Sequence, residues 1–155
     1  MSRARPPCYS GAPTRAVAQL RVNAIVTTGP SIDPTSVTAG ANTQVARYVP
    51  HNRILPSASL VITHAGLGTT MAALGHGVPL LCTPIGRDQF FNAERVQALG
   101  AGRMLMPDAD SEAIALAAKG ILADSRFTAE AKRMADAIGG YGGAARAAEA
   151  LEALV

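Results

Sequence analysis

The sequence is poor in several residue types that mark particular functions. It has no tryptophan, its aromatic residues amount to 4%, and its two cysteines, Cys8 and Cys82, lie far apart. Such cysteines lack the spacing of metal ligands and are typical of a reducing compartment. Nucleic-acid binding usually needs a basic stripe interleaved with aromatic side chains, and the sequence has no such stripe. We therefore expect neither a cysteine-bound metal nor a nucleic-acid partner.

Two features of membrane and secreted proteins are also missing. No apolar run is long enough to span a bilayer, and no apolar segment follows the first residues as a secretory signal would require. The net charge of +3 is concentrated at the front, because four arginines and no acidic residue lie within residues 1–21. The rest of the chain is nearly neutral. We predict a cytoplasmic protein without a transmembrane segment.

The apolar content that is present suits one packed domain. Hydrophobic residues make up 48% and charged residues 16% of the 155 residues, which favours a globular fold. Apolar or β-rich segments alternate with helix-like segments and are separated by glycine and proline. This alternation predicts an α/β fold: a Rossmann-like open parallel sheet with helices on both faces. The predicted strands are residues 23–28, 44–49, 59–64, 78–83 and 103–106.

The predicted domain covers residues 14–155. It follows a segment, residues 1–13, that is rich in arginine and proline and is expected to be irregular. Thr14 is the expected N-cap of a first short helix over residues 15–20.

Three expectations concern packing. The strand over residues 59–64 is apolar on both faces, as expected of a central strand in a parallel sheet. A helix that opens at Asp88 is predicted to place Phe91, Val96 and Leu99 near one face. Cys82 lies inside an apolar strand and is predicted to be a small core residue.

The stretch Thr63–Met71 stands where the third strand turns into a helix. Two glycines, Gly66 and Gly68, let the backbone turn tightly and approach a ligand. The first turn of a helix presents unpaired N–H groups and the positive end of the helix dipole, so this turn, with His64 and Thr69, is predicted to bind an anion such as phosphate. Two alternatives stay open: the His64 ring could cap a neighbouring carbonyl, and Thr69 could be an ordinary N-cap.

Further candidates follow the neighbouring strands. Asp88 and Gln89 place an acceptor beside a donor, which suits the vicinal hydroxyls of a sugar, although Asp88 could equally be a helix N-cap and Gln89 solvated. Tyr48 could stack on a nucleotide base or be a core or rim aromatic. Ligands of open parallel sheets bind beyond the carboxyl ends of the strands, so these side chains can converge on one cleft.

One motif imitates a dinucleotide-binding fingerprint. Gly66 and Gly68 are followed 20 residues later by an acidic residue, Asp88. Against this reading, Met71 occupies the third glycine position, and Asp88 stands at a helix start rather than at a strand tip. An oxidoreductase that uses NAD is therefore the least favoured function.

Taken in order, the motifs resemble the donor-binding signature of family 1 GT-B glycosyltransferases, among them the bacterial macrolide and glycolipid UDP-glycosyltransferases. The likeness covers roughly residues 22–155. It rests on Tyr48-Val49-Pro50-His51, Leu55-Pro56, Thr63–Thr69, Gly77-Val78-Pro79-Leu80, Pro84 with Asp88-Gln89 and Asn92-Ala93, and Leu99–Gly102.

This resemblance implies a hexosyltransferase domain that binds a UDP- or TDP-sugar, without a metal, for inverting transfer to an acceptor hydroxyl. It also implies roles for the candidate residues. The diphosphate would be held by His64, Gly66, Gly68 and Thr69, the sugar by Asp88 and Gln89, and the base by Tyr48, Val49 and His51.

Some positions depart from the family pattern. Plant members have tryptophan where Tyr48 stands, glutamine where His51 stands, and a ribose-binding glutamate where Ala72 stands. The choice between uridine and thymidine nucleotides therefore stays open.

The resemblance places the catalytic base, a histidine, in an N-terminal domain that also binds the acceptor. No catalytic residue is therefore expected in this chain, which we expect to be a partial enzyme, inactive alone. A hydrophobic small-molecule or lipid acceptor would bind only with that domain. The alternative is a non-catalytic remnant or partner-binding domain. The sequence before Thr14 does not have the pattern of the first strand of a donor domain, and loss of that strand would expose a sheet edge.

Overall fold

A computed structural model describes residues 11–154 of the chain. Its five strands form two sheets in which every pairing is parallel. The first sheet pairs β1 (Ala24–Thr27) with β2 (Thr43–Ala46), and the second has the order β3 (Val61–Thr63), β4 (Leu80–Cys82), β5 (Gly102–Met104). The helices are α1 (Ala12–Ala18), α2 (His51–Ile54), α3 (Leu67–Gly75), α4 (Gln89–Ala98), α5 (Ser111–Ala123), α6 (Ser125–Gly139) and α7 (Gly143–Glu152).

The α/β class, the parallel pairing and the helices on both faces are confirmed. One feature differs from the prediction, because the strands do not form a single sheet. Within residues 11–154 no ladder joins β1 to β3, so each of these strands is hydrogen-bonded along one side only.

The core lies on the two faces of the three-stranded sheet. Successive residues of a strand point to opposite faces. Leu80 and Cys82 pack with residues of α3, α4 and α6 on one face, and Leu81 packs with α1 and α5 on the other. All three side chains are fully buried, so β4 is the central strand.

Residues 59–64 were predicted to form a central strand, and among residues 11–154 this prediction is wrong, because β3 lies at the edge of its sheet. β3 pairs only with β4, and its three residues are half-buried. Its apolar sequence is typical of a strand covered on both sides, but among residues 11–154 a neighbour is present on one side alone.

The start of α1 also differs from the prediction. The helix begins at Ala12 after Gly11, which adopts a left-handed conformation at the N-cap position, and Pro13 occupies the first turn, where its missing N–H costs nothing. Thr14 is buried inside the helix and is not its cap. Of the segment predicted to be irregular, residues 1–10 lie outside the described residues.

In α4 the buried face is narrower than predicted. Val96 is buried together with Ala93, three residues earlier and therefore on the same side of the helix. Phe91 is 63% exposed and Leu99 is 39% exposed. The Phe91 ring lies instead beneath the guanidinium group of Arg95, 5.6 Å from the ring centroid.

The first sheet is tied to α1 by one side chain. Asn42, just before β2, donates hydrogen bonds from Nδ2 to the carbonyl oxygens of Val17, Leu20 and Val22. These bonds hold the end of α1 and the approach to β1 beside the start of β2. No helix within residues 11–154 is long and apolar enough to cross a membrane.

Candidate functional site

The turn between β3 and α3 leaves several backbone donors free. Gly66 is the N-cap of α3, and the first hydrogen bond of the helix runs from the N–H of Thr70 to the carbonyl oxygen of Gly66 at 3.0 Å. The N–H groups of Leu67, Gly68 and Thr69 therefore have no acceptor among residues 11–154. Together they form the donor-rich, positive end of a helix. The alternative in which Thr69 caps the helix is wrong, because Thr69 lies inside its first turn.

His64 sits directly against Gly66. A Cβ atom built on Gly66 would lie 2.8 Å from Nε2 of the imidazole and 3.4 Å from its Cδ2. The side chain of His64 is exposed and makes no hydrogen bond to any residue of the described chain, so the ring does not cap a neighbouring carbonyl. The absence of a side chain at position 66 thus lets the ring lie beside the free N–H groups with both of its nitrogens open.

Ala65, between His64 and Gly66, has a strained backbone that two hydrogen bonds hold in place. Ala65 is fully buried and has a φ of 65°, a left-handed conformation that costs a non-glycine residue about 1 kcal/mol. Its N–H donates to Oγ1 of Thr63 at 3.3 Å, and its carbonyl oxygen accepts from Nδ2 of Asn92 at 3.0 Å. Such strain persists only where neighbours fix the conformation, which both contacts do here.

Asn92 links the two halves of the site. Its Nδ2 donates both to Ala65 and, at 2.9 Å, to Oδ2 of Asp88. It therefore joins the loop after β3 to the start of α4. Sequence reasoning gave Asn92 no role in the site, although its position four residues after Asp88, on the same side of a helix, was a usable signal.

The side chains of Asp88 and Gln89 do not match their alternative structural roles, those of a helix N-cap and a solvated side chain. Asp88 stands at the N-cap position of α4, but its carboxylate caps no backbone N–H and accepts from Asn92 instead. The Oε1 atom of Gln89 accepts from the N–H groups of Ile85 and Gly86 at 2.9 and 3.2 Å, so Gln89 is not merely solvated. One Asp88 oxygen and the amide nitrogen of Gln89 remain for a ligand.

The predicted base-binding residues are not bonded to this group within the described part of the chain. Tyr48 follows the end of β2, and 75% of its surface is exposed. Val49 is half-buried, and His51 is exposed at the start of α2. Among residues 11–154, no hydrogen bond, ion pair or ring contact joins these residues to His64 or Asp88. The structure therefore links the residues after β3 and β4 through Asn92 and shows no such link to Tyr48, Val49 or His51 among residues 11–154.

The chemistry of the site is that of hydrogen-bond donors. No group of three or more His, Cys, Asp or Glu side chains within residues 11–154 could hold a metal ion. Burial raises the pKa of the Cys82 thiol to about 12, which confirms it as an inert core residue rather than a nucleophile. What remains is an open surface with three free N–H groups, an imidazole and a nearby carboxylate.

Replacing Asn92 by alanine is expected to lower the free energy of unfolding by about 1–2 kcal/mol, because the Ala65 carbonyl loses its partner in a part-buried loop. Urea denaturation followed by circular dichroism measures this loss. Gln97→Ala is the matched control, since Gln97 lies on the same helix and accepts only from the exposed N–H of Met104. Equal losses in the two variants would contradict the bridging role of Asn92.

Comparison with known proteins agrees with this architecture. A family model described as erythromycin biosynthesis protein CIII-like, C-terminal domain, matches residues 15–154. The NDP-glycosyltransferase YjiC of Bacillus licheniformis is 36% identical over 134 residues, which are 84% of this chain and 34% of that protein.

Solved structures show the same fold. CalG4, the calicheamicin glycosyltransferase, superimposes with a TM-score of 0.87 at 30% identity, over 97% of this chain and 38% of its own. The spinosyn rhamnosyltransferase SpnG complexed with thymidine diphosphate has a TM-score of 0.77 at 31% identity, over 87% of this chain and 37% of its own. The chain therefore spans little more than a third of the length of these relatives.

The parallel α/β fold, the turn at His64 and the family match over residues 15–154 lead to one assignment. The chain belongs to the erythromycin biosynthesis protein CIII-like C-terminal domain family, which corresponds to the C-terminal half of GT-B glycosyltransferases.

Proposed function

We propose that this chain is a donor-binding domain that holds a UDP- or TDP-sugar for inverting transfer of a hexose to an acceptor hydroxyl. One observation carries the proposal: three unpaired N–H groups at the start of α3 lie beside the open imidazole of His64, which rests on Gly66. A diphosphate is the ligand whose charge and size suit such a set of donors.

The same donors suit the chemistry of transfer. When the sugar leaves, negative charge grows on the diphosphate oxygens. Fixed N–H groups and an imidazole aimed at that charge stabilise it without having to reorganise during the reaction. In this proposal His64, Gly66, Gly68 and Thr69 form the diphosphate site and no metal is needed.

The sugar would lie towards the start of α4. The free oxygen of Asp88 accepts from a sugar hydroxyl, and the amide nitrogen of Gln89 donates to a neighbouring one. Asn92 and the backbone of Ile85 and Gly86 hold these two side chains in place. The base would meet Tyr48, Val49 and His51, where the exposed ring of Tyr48 offers a stacking face.

Transfer itself needs more than these residues. The general base that deprotonates the acceptor must come from elsewhere, and the relatives that share this fold are nearly three times as long as the match. SpnG has been solved both with thymidine diphosphate and with spinosyn aglycone. We propose that residues 1–155 alone bind the donor without transferring sugar, and that a hydrophobic acceptor binds only when an N-terminal domain is present.

Calorimetric titration with UDP, TDP and their glucose conjugates tests the donor site. Loss of a charge-assisted hydrogen bond costs about 1.5–3 kcal/mol, so His64→Ala is expected to weaken binding about 10- to 100-fold. His76→Ala is the matched control, because His76 lies at the other end of α3 and bonds only the Ala72 carbonyl oxygen. It should leave affinity unchanged.

Two results would overturn the proposal. A folded wild-type chain that binds none of these nucleotides has no donor site, and equal affinities of the wild-type and His64→Ala chains would place the diphosphate elsewhere. Transfer of sugar to a small phenolic acceptor by residues 1–155 alone would contradict the expected lack of turnover.

A further inference from the structure

The loop between β4 and α4 carries an arginine in an unfavourable backbone conformation. The N–H of Gln89 donates to the carbonyl oxygen of Gly86 at 3.3 Å and so closes a β-turn. The second residue of this turn, Arg87, has a φ of 59°, and the third, Asp88, has φ −71° and ψ −8°. A positive φ at the second position alone defines a type II′ turn, in which glycine is the usual residue there. Arginine therefore stands at this position against the preference of the backbone.

Neighbouring groups hold this turn in place. Oε1 of Gln89 accepts from the two N–H groups that precede Arg87, at 2.9 and 3.2 Å. Ala65 is the other non-glycine residue among residues 11–154 with a positive φ, and Asn92 bonds both its carbonyl oxygen and the Asp88 carboxylate. Strained residues persist where their surroundings fix them, and they cluster at ligand sites. The two strained positions here flank one hydrogen-bonded network.

The guanidinium group of Arg87 is exposed and free. Within residues 11–154 it makes no hydrogen bond, no ion pair and no ring contact. The adjacent Asp88 forms no ion pair with it, and the Asp88 carboxylate accepts from Asn92 instead. A side chain with five N–H donors thus lies next to the proposed sugar ligands with none of those donors in use.

Positive charge is scarce at the edge of the sheet where a ligand would bind. Ligands of open parallel sheets bind beyond the carboxyl ends of the strands. Two arginines and no lysine lie in the loops that follow the five strands, which are residues 28–42, 47–50, 64–66, 83–88 and 105–110. One of the two, Arg47, donates from Nη1 to the carbonyl oxygen of Pro30 at 3.1 Å. Within residues 11–154, Arg87 is therefore the arginine of these loops whose guanidinium has no partner.

A diphosphate would give this cation a partner. Both phosphate groups of a nucleoside diphosphate are negatively charged, whereas the start of a helix such as α3 offers the equivalent of about half a positive charge. An arginine pairs with phosphate through two parallel hydrogen bonds, in a geometry that a lysine does not reproduce. The donors around His64 therefore leave most of the diphosphate charge to be balanced.

We propose that the guanidinium group of Arg87 binds the diphosphate of the donor. This inference rests on the proposed function, because it needs a nucleotide at the start of α3. The diphosphate is then held from the loop after β3 by His64 and the free N–H groups, and from the loop after β4 by Arg87. The strain at Arg87 is explained as well, since glycine would relax the turn but remove the charge.

Calorimetric titration of the full chain with UDP and TDP tests the role of the charge. Arg87→Ala is expected to weaken binding about tenfold or more, which is the loss of a charge-assisted contact. Arg87→Lys keeps the charge without the paired geometry and should lose less. Arg21→Ala is the matched control, because Arg21 is an exposed arginine that precedes β1 at the amino end of the sheet. It should leave affinity unchanged.

Arg87→Gly separates the charge from the backbone strain. Glycine adopts a positive φ freely, so this variant should melt about 2–4 °C higher than Arg87→Ala. It should nevertheless bind UDP as weakly as Arg87→Ala does. A purely structural role of Arg87 predicts the opposite, namely that glycine restores the affinity.

Titration with UDP-glucuronic acid distinguishes the diphosphate from an anion on the sugar. If Arg87 bound a sugar carboxylate, Arg87→Ala would weaken the binding of UDP-glucuronic acid and leave that of UDP unchanged. We expect the same fold loss for both ligands, because both carry the diphosphate.

Five results contradict the proposal: unchanged UDP affinity in Arg87→Ala, an equal loss in Arg87→Lys, an equal loss in Arg21→Ala, recovery in Arg87→Gly, or a loss confined to UDP-glucuronic acid. The proposed function can fail separately. If His64→Ala weakens UDP binding and Arg87→Ala does not, the donor site stands and only the role of Arg87 is wrong. If the folded wild-type chain binds no nucleotide, both are wrong.

Discussion

Replacing Gly102 by alanine is expected to lower the free energy of unfolding by about 3 kcal/mol, a large part of the total for a domain of this size. A Cβ atom at this position would overlap the carbonyl oxygen of Leu80 and lie 2.8 Å from Cγ1 of Val96. The oxygen belongs to the paired strand β4, so it cannot move away without disturbing the ladder between β4 and β5. Urea denaturation followed by circular dichroism measures the effect.

Gly139→Ala is the control for the Gly102 substitution. A Cβ atom at Gly139 would meet no atom within 4 Å, and the residue ends a helix without requiring a positive φ. Alanine there should be neutral or stabilising by up to about 1 kcal/mol, since glycine is a poor helix former. If the two substitutions have similar effects, close packing of β5 on β4 is not what requires glycine at position 102.

Gly66→Ala is expected to weaken nucleotide binding by about tenfold or more, which is the loss of one charge-assisted hydrogen bond, while changing stability by less than about 0.5 kcal/mol. The backbone of Gly66, with φ −62° and ψ 139°, suits alanine. The new methyl group would lie 2.8 Å from Nε2 of His64 and would push the ring away from the free N–H groups. Calorimetric titration with UDP and TDP measures the change.

A double-mutant cycle shows whether this effect passes through His64. If Gly66→Ala acts by displacing the imidazole, adding it to His64→Ala should cost nothing more. Additive losses would mean instead that the methyl group meets the ligand or alters the helix start, and the packing of His64 on Gly66 would then have no role in binding.

The fold class was predictable because its signals are local. Apolar segments such as Leu80–Cys82 stand out between glycine and proline, and parallel strands follow from the helices between them. The division into two sheets was not predictable in this way, because a break in strand pairing depends on what lies beside each strand and not on the sequence of either strand. The same reason explains why the apolar residues 60–62 suggested a central strand.

The candidate site was predictable in outline. The glycines around His64 mark a strand-to-helix turn, and such turns leave N–H groups free. The contact between the His64 ring and Gly66 could not be predicted from the spacing of residues in the sequence. Asn92 was missed because asparagine in a helix usually faces solvent, whereas here it reaches a carbonyl 27 residues away in the sequence.

Helix starts were less predictable than strands. Threonine is a common helix N-cap, but α1 already begins at Ala12, after the left-handed Gly11 and with Pro13 in its first turn. Thr14 therefore lies buried inside the helix. Phe91 has the hydrophobicity of a core residue, yet Ala93 and Val96 fill the narrow space against the sheet. In both cases tertiary packing overrides the preference of the single residue.

The buried thiol of Cys82 in β4 can be used to measure how often the domain opens. It is fully buried in β4, and burial raises its pKa to about 12, so almost none of it is thiolate at neutral pH. A thiol reagent can reach it only when the three-stranded sheet opens. With Cys8 changed to serine, the rate of labelling would therefore report how often the interior of this domain is exposed to solvent.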